Sequence, residues 1–317
     1  MKKIRRGTAA FLLLLALVPR ASAAREEVIP GGDVIGIEIE TEGVAIVEFS
    51  RETPEQAGLC RGDIQKKIDG QAVHTPGEVQ QLVERSGGAP MHLTVQRQEE
   101  EKTVVLSPEN TEKGLRLGLL VRDRVTGIGT VTYFEPEKEG FGALGHGVTG
   151  EGGVLPMEEG SILPAAVASV EPGQKGAPGS LRGKLQGRAP LGEIYRNTGR
   201  GIFGKMPAPA RAPVPVARPG EVHTGKAKIR STVAGREIQD YDVQILAVYS
   251  GKDGGRDLLL EVTDPELLEL TGGIVQGMSG SPILQDGRLA GAVTHVLIDN
   301  PARGYGIFIE NMMDAAA

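Results

Sequence analysis

Ser279 stands in the run Gly272-Gly273-Ile274-Val275-Gln276-Gly277-Met278-Ser279-Gly280-Ser281-Pro282-Ile283-Leu284. A serine held between glycines, with strand-like runs on either side, is a candidate nucleophile. Glycine permits a turn that exposes the hydroxyl and aims the N–H groups of Gly277 and Ser279 at one spot, an oxyanion hole. The same residues also suit a plain tight turn. A serine needs a base. His146 lies in Phe141-Gly142-Ala143-Leu144-Gly145-His146-Gly147-Val148, a glycine-bracketed setting that suits an imidazole at a cleft. A loop histidine satisfied by its neighbours would look alike. His295, in Gly291-Ala292-Val293-Thr294-His295-Val296, competes for the role, and its bland alternative is a strand residue pointing off the sheet. His74, His92 and His223 have little claim. The third member orients the imidazole and stabilises its positive form. Asp264, in Val262-Thr263-Asp264-Pro265-Glu266, comes 15 positions before Ser279. Asp264 followed by Pro265 is equally a helix N-cap with proline at the first helical position. Asp242 is the alternative acid.

Other chemistries find little support. The chain has 317 residues, 46 Gly, five His and one Cys. One cysteine excludes an internal disulfide framework and a multi-thiolate zinc site. No HExxH pair is present, so no metal is implied, and serine chemistry requires no cofactor. Gly140 to Gly145 fits GxGxxG, but it follows the charged run Glu135 to Glu139 and precedes more glycine instead of a helix. Gly199 to Lys205 and Gly220 to Lys226 resemble P-loops, yet Met206 and Ala227 stand where a hydroxyl should reach magnesium. Cys60 has no local His or Asn partner and reads as a bystander.

The first 23 residues read as a secretory leader. Lys2, Lys3, Arg5 and Arg6 precede the apolar run Ala9 to Val18, and Ala21-Ser22-Ala23 fits small-x-small cleavage. The alternative is an uncleaved anchor. Residues 1–23 carry five basic and no acidic side chains, so their removal takes the formal charge from −6 to −11. An acidic exported protein would repel phosphate, which argues against nucleic-acid binding.

The residues between must position this chemistry. Val34 to Ile39 and Val44 to Phe49 read as strands, Thr53 to Gly58 as a helical turn, and Asp69-Gly70 as a hairpin tip. Thr75 to Ser86 carries a helical period with Val79, Leu82 and Val83 on one side. Met91 to Val95 and Lys102 to Leu106 close this module, set at residues 28–108. Residues 109–116 read as a polar linker. From 117 to 317 many short strands and glycine turns predict a β-barrel or sandwich. Pro207 to Pro219 is an extended proline-rich stretch.

Pro54-x-x-Ala57-Gly58-Leu59, then Gly62-Asp63-Ile64 and Asp69-Gly70, resemble the PDZ domain family. The resemblance implies a peptide groove beside the Thr75–Ser86 helix, with Val34, Ile35, Gly36 and Ile37 in the carboxylate-binding loop. Gly142 to Gly147, Thr263 to Leu268 and Gly272 to Ile283 together resemble the SpoIVB peptidases, the stage IV sporulation serine peptidases. So does Gly291 to Val296 followed by Gly304-Tyr305-Gly306-Ile307-Phe308-Ile309-Glu310. That resemblance implies a mostly β chain, a PDZ domain followed by a trypsin-like double β-barrel. His146, Asp264 and Ser279 take the roles of base, acid and nucleophile, and Thr294 and His295 flank the substrate. It implies an exported, self-cleaving signalling protease between forespore and mother-cell membranes. Its partners would be peptides, itself, and a membrane-bound regulator of an intramembrane metalloprotease, leading to late sigma factor activation. Asp264 lies closer to Ser279 than the acid of trypsin-like proteins does, and Gly150 stands where an acidic residue is expected. A quality-control PDZ protease and an inert PDZ scaffold are the rival readings.

Overall fold

In the computed structural model, the described residues are 26–151, 153–249 and 255–317, so the predicted leader lies outside them. Strand pairings close into two rings, each of six strands. The first runs Val34–Phe49, Leu119–Glu135, Gly140–Ala143, Gly201–Lys205, Gly192–Thr198 and Glu159–Glu171, then back to Val34–Phe49. The second runs Gly225–Ala234, Glu237–Val248, Leu258–Val262, Asn300–Phe308, Arg288–Leu297 and Pro282–Gln285, then back to Gly225–Ala234. Closure removes the free edges that an open sheet would present. Side chains alternate as period two requires: Ala227, Ile229, Ser231 and Val233 point inward, while Lys226 and Lys228 face solvent. Each barrel has its own apolar core, one around Ile35, Ile37, Phe141 and Ile202, the other around Ile229, Val243, Leu260 and Ile283.

A third core gathers Val44, Ile46, Leu59, Val79, Val83, Leu93 and Leu117 in the PDZ-like module. Its helix, Pro76–Arg85, starts at Thr75, whose hydroxyl accepts from the Glu78 N–H while Glu78 accepts from the Thr75 N–H. That reciprocal cap satisfies two amides of the first turn, and Val79 and Val83 bury the inward face. Asp69 and Gly70 both take positive φ, 48° and 79°, the conformation a two-residue hairpin turn demands. The mostly β fold, PDZ module and double barrel thus agree with the sequence.

The division of the chain is different. Val34–Phe49 and Leu119–Glu135 are long strands, paired with each other from Val34↔Thr130 to Phe49↔Leu119 with bulges after Glu40 and Ile46. Their Val34 and Thr130 ends belong to the first barrel, and their Phe49 and Leu119 ends to the PDZ core. The module is therefore inserted between two strands of the barrel. Glu27–Pro30, placed within the PDZ span by the sequence, pairs with Leu119–Glu135 and Val214–Pro215 instead. Residues 109–116, expected as a linker, form a hairpin of Glu109–Thr111 with Gly114–Arg116, and Leu115 packs on the PDZ core.

Val34, Ile35, Gly36 and Ile37 require a correction. Ile35, Gly36 and Ile37 are paired on both sides, to Leu119–Glu135 and to Glu159–Glu171, and Val34 is paired with Thr130. A strand with both edges paired cannot accept a peptide as a further strand. Gly36 lies under the Leu185 and Leu163 side chains, so glycine there serves close packing. The segment beside the Pro76–Arg85 helix is instead Leu115–Val121: the Gln80 amide donates to the Leu115 carbonyl, and Gly118 has φ 78°.

Candidate active site

The serine loop crosses from the second barrel to the first. Gly277 and Gly280 have φ 98° and 95°, where an L side chain is strained. A Cβ at Gly280 would also stand 2.1 Å from the Thr130 carbonyl oxygen. Three bonds tie this loop to the Leu119–Glu135 strand: Thr130 Oγ1 to Gly277 O, Thr130 N to Ser279 O, and Thr132 Oγ1 to Gly280 O, at 2.9, 3.2 and 2.8 Å. The Met278 N–H is spent on the Val275 carbonyl. Among the described residues the N–H groups of Gly277 and Ser279 have no acceptor. They are the pair that the sequence singled out.

The Ser279 hydroxyl donates to the Thr294 carbonyl at 2.9 Å. Ser281 is buried and bonds the Ser231 hydroxyl at 2.9 Å, so the two serines of the loop have separate environments.

His146 follows the Gly140–Ala143 strand through Leu144 and Gly145, both at positive φ. A Cβ at Gly145 would be 2.9 Å from Thr294 Cγ2, so glycine lets the histidine loop lie against the Arg288–Leu297 strand. His146 Nδ1 lies 2.8 Å from the Gly147 carbonyl oxygen. A carbonyl can only accept, so Nδ1 carries the proton and Nε2 is the free, basic nitrogen. Burial holds the His146 imidazole below its ordinary pKa, and the Gly147 bond offsets this in part.

Asn197 was not legible as a functional residue. Its side chain accepts from Val148 N at 2.9 Å and donates to Val148 O and Leu155 O at 3.0 Å each. It sits at the end of the Gly192–Thr198 strand, just before the turn to Gly201–Lys205, and pins the peptide that follows His146 and Gly147. A single Asn before Thr-Gly carries no local signal beyond a turn.

His146, Ser279, Gly277, Thr294 and His295 line one cavity of about 480 Å³. Among the described residues no Asp or Glu lines it. Asp264 is placed elsewhere: its carboxylate accepts from Glu266 N, Leu267 N and Asp242 N, capping the Pro265–Thr271 helix. Asp242 is exposed and pairs with Lys228 at 2.7 Å. The structure therefore brings the candidate base and candidate nucleophile to one cavity and leaves both candidate acids outside it. The His146 and His295 rings are 5.8 Å apart between centroids. His295 is held below its ordinary pKa by burial first, then by His146 and Arg256.

A proton acceptor, a hydroxyl and two unspent amides around one cavity can perform acyl transfer. Comparison with known proteins points the same way. The family described as SpoIVB peptidase S55 matches residues 113–313, more than half of the chain, and a PDZ domain family matches residues 55–97. None of the curated proteins compared matches. Solved structures include the Rv3671c protease in an inactive form, 16% identical with TM-score 0.36, covering 59% of this chain and 82% of that one. They also include the inactive form of a serine-to-alanine mutant of Rv3671c from M. tuberculosis H37Rv. It is 14% identical with TM-score 0.34, covering 59% and 79%.

Proposed function

The chain belongs to the SpoIVB peptidase S55 family, and from that premise we propose an exported signalling endopeptidase that cleaves itself and then a membrane-bound regulator. That it is a serine peptidase with a PDZ module follows from the family and domain matched. The observation that carries the catalytic assignment is the convergence of Ser279, His146 and the free Gly277 and Ser279 amides on one cavity.

In this reading a substrate carbonyl enters beside Ser279. The hydroxyl leaves Thr294 O, and His146 Nε2 takes its proton as the oxygen attacks. The Gly277 and Ser279 N–H groups hold the oxyanion that forms. His146 then protonates the departing amine, and water hydrolyses the acyl-enzyme by the same route in reverse. The Gly147 carbonyl fixes the tautomer throughout and Asn197 fixes the loop that carries it, which are the tasks a third member performs. Asp264 is assigned to the helix cap.

The sporulation role, the space between forespore and mother-cell membranes, and the regulator of an intramembrane metalloprotease rest on family membership and on the leader-like residues 1–23. The PDZ groove is proposed at Gly118 to Arg124, whose strand pairs on one edge only with Val34–Phe49 and whose start lies against the Pro76–Arg85 helix.

The test uses the whole protein, wild type beside Ser279→Ala and Ser281→Ala. Self-cleavage is followed by intact mass and reactivity by a fluorophosphonate probe. Loss of both in Ser279→Ala alone supports the reading. A folded wild type that neither labels nor cleaves overturns it in favour of an inert scaffold.

A further inference from the structure

His295 lines the cavity and carries an unanswered group. Its Nδ1 is buried and has no hydrogen-bond partner, although buried polar atoms are normally paired. Among the described residues none bonds it. His146 Nδ1 is committed to Gly147 O, and the Thr294 hydroxyl to Gly255 O and Tyr305 O. The surrounding wall is apolar, with Ile128, Leu144, Val148, Ile274, Val296 and Ile298. The other polar side chains on it, Thr126, Thr149 and Gln276, are on exposed residues and open to water.

The charge of the surroundings selects the missing partner. Among the described residues the cavity lining holds two imidazoles and no carboxylate. Arg256, just before the Leu258–Val262 strand, stacks on the ring of Tyr305, the register partner of His295, and acts on His295 from there. A cationic substrate side chain would be repelled by Arg256. An apolar side chain would leave Nδ1 buried and unpaired. A carboxylate accepts its hydrogen bond and answers the positive potential together.

We propose that His295 determines specificity by binding a carboxylate side chain of the substrate beside the scissile bond, so that the peptidase prefers acidic sequences. The proposal rests on the serine-peptidase reading. No bond is made or broken at His295; it binds and orients.

The test incubates the whole protein with a peptide library made from a denatured proteome. Cleavage sites are read by mass spectrometry for wild type, His295→Leu and His295→Asn. Active-site concentration is set by fluorophosphonate labelling, so comparisons are per reactive serine. Wild type is expected to favour Glu or Asp at one position flanking the cut, by about tenfold over Leu in a matched peptide pair, with Gln between them and Lys last. His295→Leu is expected to abolish or invert that order, and His295→Asn, which keeps a donor, to retain part of it. Labelling with cleavage that ignores acidic residues, or an acidic preference that survives in folded His295→Leu, overturns the proposal and leaves the peptidase reading standing. Absence of both labelling and cleavage overturns both.

Discussion

The Ser279 hydroxyl donates to the carbonyl of Thr294 at 2.9 Å, while the base, His146, gives its Nδ1 proton to its own neighbour Gly147. The proposed nucleophile and base are thus each bonded to a backbone carbonyl while lining one cavity. Attack requires the Ser279 hydroxyl to leave Thr294 O. Ser279→Ala should end fluorophosphonate labelling. Ser281→Ala should leave labelling in place, because Ser281 bonds only the buried Ser231 hydroxyl. Its cost should appear as about 1 kcal/mol of lost stability in denaturant unfolding. Labelling that survives Ser279→Ala would move the nucleophile elsewhere.

The pH profile follows from the burial of His146. Its pKa lies below the ordinary imidazole value, so the neutral, basic form persists into more acidic solution. The acid limb of the labelling rate should have its midpoint below about pH 6.5. Stability has the same sign. The unfolded chain takes up a proton near pH 6.5 that folded His146 resists, so this contribution is whole above that pH and is lost as pH falls through the folded value. His295, also depressed by burial, adds in the same direction. Denaturant midpoints that stay flat between about pH 7.5 and pH 5.5 would contradict it.

Local sequence pointed to the proposed catalytic pair because both residues sit in glycine-bracketed turns whose backbone needs are local. Gly280, with φ 95°, and Gly145, with φ 68°, are required where the two loops touch opposing strands. The PDZ groove was misplaced for the opposite reason. Pro30-Gly31-Gly32 followed by Val34 to Ile37 has the composition of a binding loop, but which strand edge stays open depends on pairings with Thr130 and Pro164, 96 and 129 positions from their partners. Asn197 was hidden because its partners, Val148 and Leu155, lie more than 40 positions away.

Asn197 makes three hydrogen bonds to the loop after His146. Asn197→Ala removes them all and lets Gly147 and its carbonyl drift from His146. A misplacement of about 1 Å costs on the order of 10²-fold in rate. A fall of that size in kcat, with KM nearly unchanged, is expected in the folded variant. Asn197→Asp keeps an acceptor for Val148 N but loses both donors, so it should be intermediate. Equal kcat for wild type and Asn197→Ala would remove the positioning role.

Asp264 separates two roles by chemistry. An N-cap needs an oxygen that accepts, which asparagine supplies; a triad acid needs charge. Asp264→Asn is therefore expected to retain most of the labelling rate, and Asp264→Ala to lose about 1 kcal/mol of stability through the uncapped Pro265–Thr271 helix. A fall of about 10⁴ in kcat for a folded Asp264→Asn would restore it as the acid.

The PDZ module touches the catalytic loop at a point where two glycines meet. A Cβ on Gly62 would lie 2.7 Å from Gly150 Cα, and one on Gly150 would lie 2.5 Å from Gly62 Cα. Glu151 N donates to Arg61 O at 3.0 Å beside them, and the Arg61–Glu151 ion pair at 2.7 Å spans the same seam. This explains why glycine, and no acidic residue, occupies position 150. The seam lies four residues beyond His146, on the loop that Asn197 also holds. Gly150→Ala should push the loop off the Arg61–Gly62 turn and slow Ser279 labelling, although neither residue lines the cavity. Glu151→Gln should do little, because the ion pair is exposed and screened. If Gly150→Ala labels at the wild-type rate, the PDZ module does not support the histidine loop, and its attachment to the barrel runs through the paired Val34–Phe49 and Leu119–Glu135 strands alone.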